Sequence, residues 1–162
     1  MARILVVDDA AFMRKMVSDV LVGGGHEVVG EAGDGAEAVA RYQELRPEVT
    51  TLDITMPEKD GLAALKEIIE LDPSARVIMC SALGQESKVL ESIKLGAKDF
   101  VVKPFQADRV LEAIGKALAA KRPKARYKVT PSAHVLMRLN AVLPDSGWDK
   151  VLESSFPRPG AR

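Results

Sequence analysis

Arg3-Ile4-Leu5-Val6-Val7-Asp8-Asp9, then Ala10-Ala11-Phe12-Met13-Arg14-Lys15-Met16-Val17-Ser18-Asp19-Val20-Leu21-Val22, then Gly23-Gly24-Gly25: this stretch contains one complete structural phrase. Residues 3–7 form a short β-branched run, the pattern of a buried strand. Residues 10–22 carry Phe12, Met13, Met16, Val17, Val20 and Leu21 on the rows of an amphipathic helix. The three glycines stop it. The phrase then repeats. Further strands are predicted over 27–32, 49–54, 75–81 and 98–102, and further helices over 36–45, 60–71, 85–95 and 106–120. The second helix turns Ala38, Val39, Tyr42 and Leu45 inward. No hairpin signal joins two strands. The fold class is therefore α/β, a doubly wound five-stranded parallel sheet of (βα)5 type with helices on both faces. In such sheets ligands sit outside the carboxyl ends of the strands, where the strand order reverses. The informative positions are then the strand ends: Asp8, Asp9, Asp53, Ser81 and Lys103.

The chain has 162 residues, 47% hydrophobic and 28% charged, with zero formal net charge. That zero conceals an asymmetry. Residues 1–121 hold 15 Lys and Arg against 20 Asp and Glu, whereas residues 122–162 hold 8 against 3. Five of the nine prolines also lie beyond residue 122. The expected organisation is a folded acidic domain over 1–121 and a basic extension over 122–162. Within the extension Val135, Leu136, Leu139, Val142 and Leu143 mark an amphipathic helix over 132–143, and Trp148, Val151, Leu152 and Phe156 form a weaker apolar set. Forty-one residues leave no room for a winged-helix DNA-binding domain, and the overall charge argues against nucleic acid as a partner. No apolar run reaches the length of a membrane span. Met1-Ala2-Arg3 leads straight into the first strand, without the pattern of a signal peptide. The single cysteine, Cys80, forms no internal disulfide, and a cytoplasmic location is expected.

Chemistry enters with the acids. A lone Asp at a strand end is usually a helix cap, but Asp8, Asp9 and Asp53 would converge on one sheet edge. Two unit charges about 4 Å apart repel by about 1 kcal/mol in water and about 4 kcal/mol at an effective dielectric near 20. Such a cluster calls for raised pKa values or a counter-ion. A hard divalent cation suits an all-oxygen site, Mg²⁺ or Mn²⁺. Lys103 could reach the same pocket from the fifth strand, and Ser81 offers one hydroxyl donor. A carboxylate nucleophile, a metal, an ammonium and a hydroxyl are the parts needed for phosphoryl transfer to aspartate. Other phosphate sites fit poorly. Gly23-Gly24-Gly25 precedes His26 rather than the Lys-Ser/Thr of a P-loop. Asp53-Ile54-Thr55 lacks the second acid of a haloacid-dehalogenase-like phosphatase. His26 and His134 do not suggest a metal pair, and Cys80 reads as core.

Val6-Val7-Asp8-Asp9, Leu52-Asp53-Ile54-Thr55-Met56-Pro57-Glu58-Lys59-Asp60-Gly61, Cys80-Ser81-Ala82 and Gly96-Ala97-Lys98-Asp99-Phe100-Val101-Val102-Lys103-Pro104-Phe105 carry a resemblance. Over residues 3–120 the chain resembles response-regulator receiver domains, most closely single-domain chemotaxis regulators of the CheY type. The resemblance implies a flavodoxin-like sheet of order 2-1-3-4-5. It also implies that Asp53 accepts the phosphoryl group, with Lys103 pairing to that group. Mg²⁺ would be held directly by Asp9, partly through water by Asp8, by Asp53 and by the Thr55 carbonyl. Ser81 and Phe100 fall on the switch positions, with Phe100 standing where many chemotaxis members carry Tyr. In the implied switch Ser81 moves to the phosphoryl group, Phe100 turns inward, and the surface of the fourth helix, fifth strand and fifth helix changes shape. Lys103-Pro104 resembles a cis peptide bond.

The implied protein is a signalling receiver rather than an enzyme, although it promotes its own phosphorylation and dephosphorylation. Its implied partners are a CheA-like histidine kinase and a flagellar motor switch protein or another output protein, with room for a phosphatase. Two other readings share the chemistry: a phosphorelay or phosphate-sink receiver without a motor partner, and a regulator acting on an output protein through residues 122–162.

Overall fold

The computed structural model describes residues 1–119. Five strands alternate with five helices: β1 (Arg3–Val7), α1 (Ala11–Gly23), β2 (Glu27–Ala32), α2 (Gly35–Leu45), β3 (Val49–Asp53), α3 (Gly61–Leu71), β4 (Val77–Ser81), α4 (Glu86–Leu95), β5 (Asp99–Val102) and α5 (Ala107–Ala119). All strand pairings are parallel, in the order β2-β1-β3-β4-β5. The fold expected from the alternating pattern is the fold observed. The boundary near residue 121, the helix over 132–143 and the apolar set around Trp148 lie outside the described residues.

The elements start and stop for local reasons. Asp34 caps α2 by accepting from the Glu37 N–H at 2.8 Å, while the Glu37 carboxylate accepts from the Gly33 N–H at 2.9 Å. Asp60 caps α3 by accepting from the Ala63 N–H at 2.9 Å. Gly96 ends α4 at φ 114°, a left-handed geometry that favours glycine.

The central strands β3 and β4 are buried along their whole length, while the edge strand β2 is only partly covered. On one face Ile4, Val6, Val17, Leu21, Ile78, Val101, Val110 and Ile114 form a continuous core beneath α1 and α5. Each such side chain, fully buried, contributes roughly 1.5–3 kcal/mol of transfer free energy. On the opposite face Leu5 and Leu45 meet over Gly30, where α2 lies against the sheet. Phe12 departs from the helical-row expectation, since it is 76% exposed. At about 100° per residue it lies about 140° around the helix from Val17, off the stripe whose buried centre is Val17 and Leu21.

After β1 the chain goes to β2 on one side and then crosses to β3 on the other. The order therefore reverses between β1 and β3, and the carboxyl ends of these strands carry Asp8, Asp9 and Asp53. Among the described residues, no helix is long and apolar enough to cross a membrane.

Candidate functional site

The β1 end sets two of the acids. Asp8 accepts from the Ala10 N–H through Oδ1 at 2.9 Å, which fixes the turn into α1. Arg14, one turn along α1, donates from Nη1 to the carbonyls of Asp8 (2.8 Å) and Asp9 (3.4 Å), and its Nε pairs with Glu31 at 3.0 Å. The third acid ends β3, where the Ile54 N–H bonds to the Cys80 carbonyl at 3.0 Å and the Gly61 N–H to the Ile54 carbonyl at 2.8 Å. Asp8 and Asp53 are buried and Asp9 is exposed. One carboxylate oxygen from each of the three lies within 4.8 Å of the others. Lys103 completes the group: its Nζ is 2.7 Å from Asp8 Oδ2 and 3.3 Å from Asp53 Oδ1. Its backbone N–H bonds to the Ser81 carbonyl at 2.7 Å. The structure thus brings Asp8, Asp9, Asp53 and Lys103 together, with Ser81 tied to the same corner.

Electrostatics distinguish these groups. Burial raises the Asp53 pKa above the usual carboxylate range, and the charges of Asp8 and Asp9 push the same way against the pull of Lys103. For Lys103 burial favours the neutral form, but the hydrogen bond to Asp8 and the charges of Asp53 and Asp8 outweigh it, so its pKa is raised. Lys103 is therefore an ammonium. Among the described residues it supplies both ion pairs made to the three carboxylates. One ammonium against three acids leaves the pocket short of positive charge, and the donors are all hard oxygens. That donor set and that deficit fit a small divalent cation.

A pH dependence follows from Asp53. Its pKa is higher in the folded chain than in the unfolded one, so between those values the folded state binds more protons. Wild-type stability then falls as pH rises through that window. Asp53→Asn, melted in chelator-containing buffer, should gain a few degrees in Tm at pH 7. The gain should shrink as pH falls toward the raised Asp53 pKa, where the wild-type carboxyl itself takes up a proton. A gain that is constant across pH would contradict this assignment.

Ser81 is wholly buried, and its Oγ has no hydrogen-bond partner. Thr55 is exposed, and its hydroxyl accepts from Gln85 Nε2 at 2.6 Å. The Lys103-Pro104 bond is cis, as the resemblance implied. Cys80 is core, its thiol pushed up to about 12 by burial, which removes it as a nucleophile. Phe100, at the expected switch position on β5, is buried, 7% exposed. A phenyl ring has no hydroxyl to keep at the solvent, so burial is its resting preference.

Three contributors escaped the sequence reading. Arg14 and Gln85 read there as ordinary helix residues. The third is the Asp99–Arg109 pair: Arg109 holds both Asp99 carboxylate oxygens at 2.9 and 3.1 Å and donates to the Phe100 carbonyl at 2.8 Å. A basic residue one turn after a strand-end acid pair, as Arg14 is, was the only signal available in the sequence.

Comparison with known proteins agrees with this geometry. The family model described as response regulator receiver domain matches residues 4–115. The chemotaxis protein CheY of Bacillus subtilis is 65% identical over 116 residues, 72% of this chain and 97% of that protein. CheY of Thermotoga maritima is 58% identical over 114 residues, 70% of this chain and 95% of that protein. Among solved structures, the CheX-CheY-BeF3-Mg+2 complex from Borrelia burgdorferi superposes with a TM-score of 0.67 at 41% identity, covering 69% of this chain and 85% of that one.

Proposed function

The chain belongs to the response-regulator receiver family, and on that footing we propose that it is a phosphorylation-activated switch that carries a chemotaxis signal to the flagellar motor. The carrying observation is the Lys103 ammonium set between Asp8 and Asp53 at the point where the strand order reverses.

In this reading an Asp53 carboxylate oxygen attacks the phosphorus of a kinase phosphohistidine. The new P–O bond forms as the P–N bond breaks, and the histidine nitrogen leaves with the electron pair and takes a proton from water. Lys103 neutralises part of the charge on the transferred oxygens. Asp8, Asp9, Asp53 and the Thr55 carbonyl would hold Mg²⁺, and nothing in the geometry singles out Mn²⁺. When bound, Mg²⁺ offsets charge on the attacking and phosphoryl oxygens. The product carries roughly −2 charge and strong acceptor oxygens. The buried Ser81 hydroxyl, which lacks a partner, then gains one. That movement rearranges the segment leading into α4, and α4, β5 and α5 present a changed face to the output protein. Residues 122–162 would form a separate basic extension to this receiver.

A test with the full chain uses a phosphorylated histidine kinase. Phosphoryl transfer to the chain that needs Mg²⁺, together with tighter capture of a motor switch protein in beryllofluoride, supports the whole reading. Efficient return of the group to a histidine domain without motor binding supports a phosphorelay receiver instead. Mg²⁺ alone should also raise Tm by several degrees, since a ligand at about 100 times its Kd stabilises the native state by about 2.7 kcal/mol. An unchanged Tm from zero to saturating Mg²⁺ would rule out the metal site.

A further inference from the structure

We propose that Gln85 is a latch: its side-chain amide holds the Ser81-Ala82 end of β4 in the resting arrangement and thereby weakens the hold of the site on a phosphoryl group. The proposal rests on the reading of Asp53 as acceptor and adds a residue which that reading does not use.

Gln85 occupies the N-cap position of α4, yet its side chain makes no capping hydrogen bond there. Both ends of its amide go elsewhere. Oε1 accepts from the Ala82 N–H at 2.8 Å, and Nε2 donates to Thr55 Oγ1 at 2.6 Å. One planar group thus ties the loop after β4 to the loop after β3. Ala82 follows Ser81 directly, and Thr55 is two residues past Asp53, so the tie runs between the two chain segments that phosphorylation must rearrange.

What the latch restrains is under tension. Ser81 Oγ is buried with no partner, which carries an unpaid desolvation cost that a phosphoryl oxygen on Asp53 would relieve. The intervening segment has little else to fasten it. Ala82, Leu83 and Gly84 are exposed, Leu83 at 67%, and Gly84 sits at φ 86°. If the binding-competent arrangement is a minor state held back by the Gln85 amide, apparent affinity is reduced by that state's fractional population. Removing the amide raises the population and the affinity together.

The experiment measures beryllofluoride binding to the full chain at saturating Mg²⁺ by calorimetry. The variants are wild type, Gln85→Ala, Thr55→Val and the double variant. Gln85→Ala should bind about 3–10-fold more tightly, the equivalent of one net hydrogen bond. Its affinity for Mg²⁺ alone should stay at the wild-type value, and exchange of the Ala82 amide proton should speed up. Thr55→Val should tighten binding in the wild-type background and add little once Gln85 is gone, because both substitutions cut the same tie. Equal beryllofluoride affinity in all four proteins overturns the latch alone. So does a Thr55→Val effect of the same size in both backgrounds. Failure of every protein, wild type included, to bind beryllofluoride overturns the acceptor reading and the latch with it.

Discussion

Asp53→Ala is expected to remain folded and to lose labelling by acetyl phosphate, by about 10³-fold or more, as when a covalent nucleophile is removed. No neighbour can replace it. Asp8 has one oxygen on the Ala10 N–H and the other on Lys103, and Asp9 is exposed. The fold should persist because Asp53 is held in the sheet through its backbone, in register with Cys80. Its side chain is an acid whose pKa is raised chiefly by burial, so removing it relieves a desolvation cost that offsets the loss of the 3.3 Å pair with Lys103. Mass spectrometry of the labelled chain, with circular dichroism of the variant, reads both halves of the expectation. Ser81→Ala is the informative control: it keeps the nucleophile, so it should still be labelled, while phosphorylation strengthens output binding less. Labelling of Asp53→Ala at the wild-type rate would end the assignment.

The second large effect concerns a residue with no side chain at all. A Cβ at Gly61 would lie 2.0 Å from the Asp53 carbonyl oxygen and 2.8 Å from the Ile54 Cα, both backbone atoms in the most buried part of the sheet. Neither can swing aside. Gly61→Ala should therefore cost about 2–4 kcal/mol, lowering Tm by roughly 10 °C. Because the closest displaced atom is the Asp53 carbonyl oxygen, phosphoryl uptake should fall in the same variant. Gly115 gives the opposite sign for the same substitution. It lies exposed within α5 with nothing near a prospective Cβ, so Gly115→Ala should stabilise by about 0.5–1 kcal/mol. Thermal melts of the two variants side by side decide the matter. A Gly61→Ala protein as stable as wild type would show that α3 can lift away from β3 at little cost.

Much of this architecture was legible in the residues. Each strand and helix falls within two residues of its expected span, because β-branched runs, helical apolar rows and glycine or proline stops all agree. Helix starts move by one where Asp34 and Asp60 turn out to be caps outside the first turn. β4 begins at Val77 rather than 75 because the Ala75 N–H closes a turn onto the Asp72 carbonyl. Asp8, Asp9, Asp53 and Lys103 were legible because they sit at strand ends, where a parallel sheet must bring them together. Gln85 and Arg109 were not. Their partners are 30 and 10 residues away, and no periodicity encodes which side chain bridges two loops.

Arg109 clasps the start of β5 with three contacts, two to the Asp99 carboxylate and one to the Phe100 carbonyl. Strand and helix on this flank cannot part without surrendering all three. Under the proposed switch, a displacement of Lys103 would therefore be expected to carry β5 and α5 together as one piece rather than to unfasten them.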